Sequence, residues 1–335
     1  MRIGQNPNKN LENNFNYIHH VIIPVYIPSL EDYFKESLEI LKLCVHSLFA
    51  TMHSKTFITI IDNGSCEEVV NYLDDLFAMG KLNEVIHTEN IGKLNAIVKG
   101  VVGHNFPIVT ISDADVLFLS DWQKETYKIY ETFPKAGVVG LTPQFKSFEN
   151  FSGNVLFDNL FSSKLRFMDV KNPTAMQKFY ESIGWDLNYN HDYLKKHLTI
   201  SKNDNIAVVG SGHYVATYRK EVLEGFPYYD KTKMGRGSEE KLDKAPLKKD
   251  LWRLTTANNY AYHMGNIKEV WMETELDNLY SPQENHFCEL AEVSPEISRL
   301  GFTKNRIVRK LLKLNAFKFW FYKYKKLPGH MIQNY

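Results

Sequence analysis

Over the first 120 positions, short unbroken apolar runs alternate with longer stretches of helical period. YIHHVIIPVYIP (17–28) is a β-branched run closed by prolines, which predicts a strand ending near Pro28. In 29–53, Leu38, Leu41, Val45 and Leu48 recur at helical intervals, and Ser29 and Asp32 have the spacing of a capping box. TFITIIDNGS (56–65) reads as a strand that breaks at Asp62-Asn63-Gly64, and EEVVNYLDDLFAMG (67–80) as a helix stopped by Gly80. A strand over 83–90, a turn and helix over 91–103, and a strand ending in Asp113-Ala114-Asp115 follow. This βαβαβαβ order predicts an α/β fold, a mostly parallel sheet with helices on both faces.

Later segments are less regular. NIAVVGSGHYVATYRKEVLEGF (205–226) predicts a strand, a Gly-Ser-Gly turn that lets backbone approach a ligand, a second strand and a short helix. Glu239-Glu240 follow the glycine-rich approach Gly235-Arg236-Gly237-Ser238 and open the next helix, where two acids also complement a helix dipole. His263 closes an aromatic strand in NNYAYHMGN (258–266). The expected organisation is a polar lead (1–16), a ligand-binding half (17–120), a second half of the same domain (121–270) and a helical basic extension (271–335).

Composition narrows the class. With 44% hydrophobic residues the chain can bury a core. Three scattered cysteines make neither a disulfide framework nor a metal cluster, so a reducing, cytoplasmic setting is expected. The first 20 residues lack the apolar stretch of a signal peptide, and no apolar run is long enough to span a bilayer. The net charge of +1 conceals an asymmetry. Residues 303–335 hold nine Lys and Arg and no acid, leaving 31 basic against 39 acidic residues, a net −8, in the rest. In that tail Ile307, Val308, Leu311, Leu312 and Leu314 are expected on one helical face, and Arg306, Arg309, Lys310 and Lys313 on the other. Aromatics crowd the positions after Ala316. Such a segment suits either the inner face of an anionic membrane (303–330) or docking on the acidic body. Nothing else in the chain supports nucleic acid as a partner.

The chemistry concentrates where strands end. Asp113 and Asp115 share one side if strand geometry persists, and two like charges so close call for a cation between them. A divalent ion carrying a phosphate fits. Asp62-Asn63-Gly64-Ser65, Asn90-Ile91-Gly92-Lys93 and Asp113-Ala114-Asp115 end successive strands, so they converge on the crevice where parallel sheets bind ligands.

This ordered set resembles the nucleotide-sugar half of family 2 glycosyltransferases with the GT-A fold, over roughly residues 20–120. Pro24 and Tyr26 lie in the matching first strand, VIIPVY. The resemblance implies that Asp62 recognises the base, with Asn63 standing where a second acid is more usual. It implies that Asn90, Gly92 and Lys93 hold the donor, and that Asp113, Ala114 and Asp115 form the D-x-D site for metal and diphosphate. Mn²⁺ or Mg²⁺ and a nucleotide-sugar, UDP-linked by default, are the implied cofactors. The acceptor would be a saccharide or lipid-linked hydroxyl, plausibly in surface-polysaccharide synthesis. The second acid of the Glu239-Glu240 pair is the implied base, so Glu240 is favoured and Glu239 remains open. Transfer with inversion is implied too. His263 matches a late metal-binding histidine; imidazole beside the acids would favour Mn²⁺. His213 is an alternative contact for acceptor or phosphate. Trp185-Asp186 would stack on and bond a sugar, or Trp185 is simply buried. A non-catalytic sugar-nucleotide-binding relative is the alternative. A D-x-D phosphohydrolase would want Thr or Val where Leu117 stands. A nucleotidyltransferase would want glycine after the first strand, and a dinucleotide-binding enzyme its G-x-G-x-x-G.

Overall fold

The structure is a computed structural model that describes residue 4 and residues 16–186, 188–224, 229–233, 237–282, 290 and 298–335. Most of the polar lead, Gly235, Arg236 and Cys288 lie outside the described residues.

The chain runs β1 (His19–Val25), α1 (Ser37–Thr51), β2 (Thr56–Asp62), α2 (Glu67–Ala78), β3 (Glu84–His87), α3 (Lys93–Val101), β4 (Ile108–Ser112), β5 (Val116–Phe118), α4 (Trp122–Thr132) and β6 (Ala136–Gly140). It continues α5 (Gly153–Asp158), β7 (Leu165–Asp169), α6 (Pro173–Ser182), β8 (Lys196–Lys202), β9 (Asn205–Val209), β10 (Val215–Arg219) and α7 (Lys220–Leu223). The last elements are α8 (Ser238–Lys244), β11 (Trp252–Thr256), β12 (Ala261–His263), α9 (Val270–Asp277), α10 (Leu300–Leu312) and α11 (Asn315–Tyr324).

Ten strands form one sheet, ordered β3-β2-β1-β4-β10-β6-β11-β9-β8-β7. β1 to β4 pair in parallel as the alternating pattern predicts. β1 and β2 are buried along their whole length, as strands covered on both faces must be. β10 enters antiparallel between β4 and β6, so the two halves share one sheet and are interleaved. The strand-order reversal at β1/β4 opens the crevice at the carboxyl ends.

Two boundaries differ from expectation. Ser29 does not cap α1: a short 3₁₀ turn at Asp32–Phe34 intervenes, and the helix starts at Ser37. The strand geometry does not persist through Asp113-Ala114-Asp115, which is a turn between β4 and β5.

The C-terminal extension packs on the body. Val308, Phe321, Tyr322, Leu327, Met331, Ile332 and Tyr335 join Phe148, Phe167 and Leu198 in one core cluster. The face expected from apolar spacing is corrected. α10 buries Gly301, Lys304, Asn305 and Val308, while Ile307 and Leu314 are exposed. The reason is a close, polar seam. A side chain at Gly301 would meet the Leu247 carbonyl at 2.4 Å, the Asn305 amide oxygen accepts from the Gly153 N–H at 3.0 Å, and Lys304 ion-pairs Asp158 and Asp250.

Candidate active site

The crevice holds a cavity of about 300 Å³ lined by Pro24, Tyr26, Asn63, Asn90, Lys93 and Asp113-Ala114-Asp115, with Tyr33 and Phe34 also in its wall. Asp62-Asn63 and Asp113-Ala114-Asp115 follow the fully buried β2 and β4, which fixes them, whereas Asn90 to Lys93 follow the partly exposed β3 and are fixed by contacts of their own. Asp113 is held by its N–H donating to the Tyr214 carbonyl at 2.7 Å. Asn63 accepts from the Ile91 N–H at 2.9 Å, which ties the second strand's turn to the third's. Gly92 sits at φ +89°, and a Cβ there would lie 2.8 Å from the Lys233 Cα, so only glycine lets the 229–233 segment close over the start of α3. Asn95 clamps that segment by exchanging hydrogen bonds with the Asp230 backbone, each 2.7 Å.

Charges alternate through the site. Lys93 Nζ stands 2.6 Å from Asp113 Oδ1 and 3.0 Å from Glu239 Oε1. Glu239 Oε2 lies 3.1 Å from His213 Nε2, whose Nδ1 is 3.5 Å from Asp243, itself paired with the buried Arg253. Burial would lower the Lys93 pKa, but Asp113 and Glu239 outweigh it and hold the ammonium charged. The His213 hydrogen bond holds the Glu239 carboxyl down at about 2. Burial opposes the imidazolium of His213, yet Asp243 and Glu239 raise it to about 9.

Asp115 behaves differently. Burial pushes its pKa up, His263 opposes this and Asp113 adds to it. Its Oδ1 is buried with no hydrogen-bond partner, while Oδ2 lies 3.4 Å from His263 Nε2. β12 pairs His263 against Val116, which brings the imidazole to the acids, and Ser182 bonds its Nδ1 at 3.0 Å. An orphaned, desolvated carboxylate oxygen beside a second carboxylate fits a hard divalent cation. Among the described residues no three His, Cys, Asp or Glu side chains form a cage.

Several expected residues stand elsewhere. Asp62 is 3% exposed and turned inward: Oδ1 accepts from the Ser65 N–H and Oδ2 meets His87 at 3.0 Å, while its neighbour Asn63 lines the cavity. Glu240 points away, to Lys244 at 2.6 Å. The Gly-Ser-Gly turn approaches protein: a Cβ at Gly210 would lie 2.3 Å from the Ser147 carbonyl, and one at Gly212 2.3 Å from Gln144. Trp185 is 52% exposed and edge-on to Tyr180, so it is not a core tryptophan. Sequence reasoning missed Lys233, Tyr33 and Phe34. The aromatic pair following the first strand was a usable signal for the latter two; Lys233 had none, because its place depends on the Asn95 clamp.

Fold and site together define an α/β protein whose acids and one lysine converge at a strand-end crevice. A family model for glycosyl transferase family 2 matches residues 21–225, more than half of the chain, and the chain belongs to that family. By family it is a glycosyltransferase, and its mixed α/β sheet is the GT-A arrangement expected of that family. Glu239, Glu240, His263 and the C-terminal extension lie beyond the matched residues. Among solved structures, TarS 1-349 of S. aureus is similar at 13% identity, with 77% of this chain and 69% of that chain covered and a TM-score of 0.43. The same protein in complex with UDP-GlcNAc gives 14%, 91%, 70% and 0.44. The mannosyltransferase PcManGT from Pyrobaculum calidifontis, in complex with GDP-Man and Mn²⁺, gives 14%, 72%, 55% and 0.41. A search of curated proteins finds no match.

Proposed function

We propose that the chain is an inverting, metal-dependent glycosyltransferase that moves a hexose from a nucleoside-diphosphate sugar to a hydroxyl of a saccharide or lipid-linked acceptor. The observation that carries this reading is the meeting of Asp113, Asp115, Lys93 and Glu239 at one crevice, with a buried Asp115 oxygen left unpartnered.

Asp113 and Asp115 would hold Mn²⁺ or Mg²⁺, with His263 beside Asp115. Such a cation, bound, neutralises charge on a departing diphosphate. Two carboxylates suffice because these ions take their other ligands from phosphate and water. Lys93 supplies a fixed positive charge to the same phosphates. Glu239 is ionised and accepts the proton of the acceptor hydroxyl. The acceptor oxygen bonds to the anomeric carbon as its bond to phosphate breaks, and one displacement inverts configuration. Tyr26, Tyr33 and Phe34 offer faces for base or ribose, and UDP is the first nucleotide to test. The exposed Phe319, Trp320 and Tyr324 on α11 support a membrane-proximal acceptor.

The test is thermal stability with UDP, GDP, CDP and dTDP, each with and without Mn²⁺, in wild type and Asp115→Ala. A ligand that binds only the folded state raises Tm by mass action. One nucleotide is expected to do so with metal and to lose the effect in the variant. No nucleotide-and-metal effect on wild type overturns the reading.

A further inference from the structure

A pocket of about 400 Å³ opens at the far end of α8 from the crevice. α8 contributes Lys244; Arg306, Arg309, Lys310 and Lys313 come from α10 and the residue after it. Among the described residues no acid lines the pocket. Among the described residues, none of those last four cations has a carboxylate partner, whereas Lys304 on the inward face of α10 is ion-paired with two. The helix therefore spends its buried lysine on structure and leaves its other cations unneutralised around one concavity.

Phe151 forms a wall of the pocket. It sits at φ +51°, in the left-handed region a bulky side chain avoids, and its ring lies 5.3 Å from Lys244 Nζ and 5.6 Å from the Arg309 guanidinium carbon. Mutual repulsion of the four cations without a carboxylate partner is relieved by an anion with several oxygens, and planar guanidinium groups suit phosphate. The pocket also lies close to the crevice. Lys244 ion-pairs Glu240, whose neighbour Glu239 touches Lys93. Glu239 and Lys244 are five residues apart, about 7.5 Å along the helix.

We propose that this pocket binds a phosphate group carried by the acceptor, which places the acceptor as a phosphate-bearing saccharide; the assignment rests on the transferase reading of the crevice. A discrete ligand fits better than a planar membrane, because the site is concave and the exposed aromatics of α11 do not line it.

Short linear polyphosphate is the probe, titrated calorimetrically into the full-length protein alone and again with UDP and with Mn²⁺ in excess of what the polyphosphate chelates, the heat of chelation being subtracted from a protein-free titration. Wild type is compared with Arg306→Gln/Arg309→Gln/Lys313→Gln, and with Lys313→Glu alone as the milder change. Binding is expected in wild type and at least about tenfold weaker in the triple variant, as for loss of hydrogen bonds to a charged group. The nucleotide-dependent rise in Tm should be equal in both, which also shows that the variants fold. Equal binding in all three proteins overturns the proposal. So does binding that UDP and Mn²⁺ abolish, which puts the anion in the crevice. A third overturning result is charge-dependent binding to phosphatidylglycerol vesicles with none to polyphosphate, which makes this a membrane surface. If UDP and Mn²⁺ leave wild type unchanged while polyphosphate binding still falls in the variant, the transferase reading fails and the acceptor assignment with it. The anion site then stands.

Discussion

Successive side chains on a helix point about 100° apart, so Glu239 and Glu240 cannot both face the crevice. Glu239 meets Lys93 and His213, and Glu240 meets Lys244 in solvent. The family pattern pointed to the second acid, and the geometry favours the first. Glu239→Gln keeps the shape and removes the proton acceptor. Turnover is expected to fall about 10²–10⁴-fold in steady-state assays. Glu240→Gln should change it by less than about fivefold, the worth of one exposed ion pair. The opposite ranking would assign the base to Glu240. His213 makes the same cluster pH-dependent. Its folded pKa, about 9, is above its ordinary 6.5, so its stabilising contribution is complete below pH 6.5 and disappears as pH rises through 9. Melting temperatures of wild type and His213→Gln should therefore differ most at and below about pH 6.5, and the gap should shrink through neutrality and close above about pH 9. A constant gap across that range would show that the imidazolium charge contributes nothing.

At the scale of elements, what periodicity and strand-end chemistry control was legible. β1 to β4 and α1 to α3 follow from apolar runs and helical spacing, and so does the crevice they build. The turn at Asp113-Ala114-Asp115 was not, because a strand and a turn entering another strand share one apolar pattern. Nor was the role of the Gly-Ser-Gly turn, since a glycine declares close approach without naming what approaches. Here it is the 143–147 loop: Gly210 has φ +100° and no room for a Cβ against Ser147. Gly210→Ala should lower stability by about 2 kcal/mol or more, through strain and displaced backbone together. Gly103 has φ +89° but open space around it, so Gly103→Ala carries only the dihedral cost, about 1 kcal/mol. Urea midpoints of the two variants measure the difference. Equal losses would mean that the Ser147 contact yields freely.

At the scale of the molecule, the basic tail is where sequence and structure diverge most. Its charge and aromatics argued equally for a membrane and for the acidic body, because composition does not say which face is inward. The seam through Gly301, Lys304 and Asn305 carries little apolar signal, and the docking after it depends on side chains 100 or more residues away. The fold uses that docking heavily. Phe321, Tyr322, Leu327, Met331, Ile332 and Tyr335 are each at most 7% exposed. Lys325 is buried with its ammonium donating to the Asn159 and Ser162 carbonyls. Burial of a large apolar side chain contributes about 1.5–3 kcal/mol. Six of them rival the roughly 5–15 kcal/mol by which a typical domain is stable. A chain ending at Leu314 should therefore lose its cooperative thermal transition, as circular dichroism would record. Trp320→Ala, which changes a 39% exposed side chain on the outer face of α11, should melt within a few degrees of wild type. A truncated chain that melts like the full one would make the extension an appendage, its aromatics free for a surface outside the molecule. Loss of the transition on truncation, with Trp320→Ala unaffected, would make α11 part of the core on one side and leave its outer face available on the other.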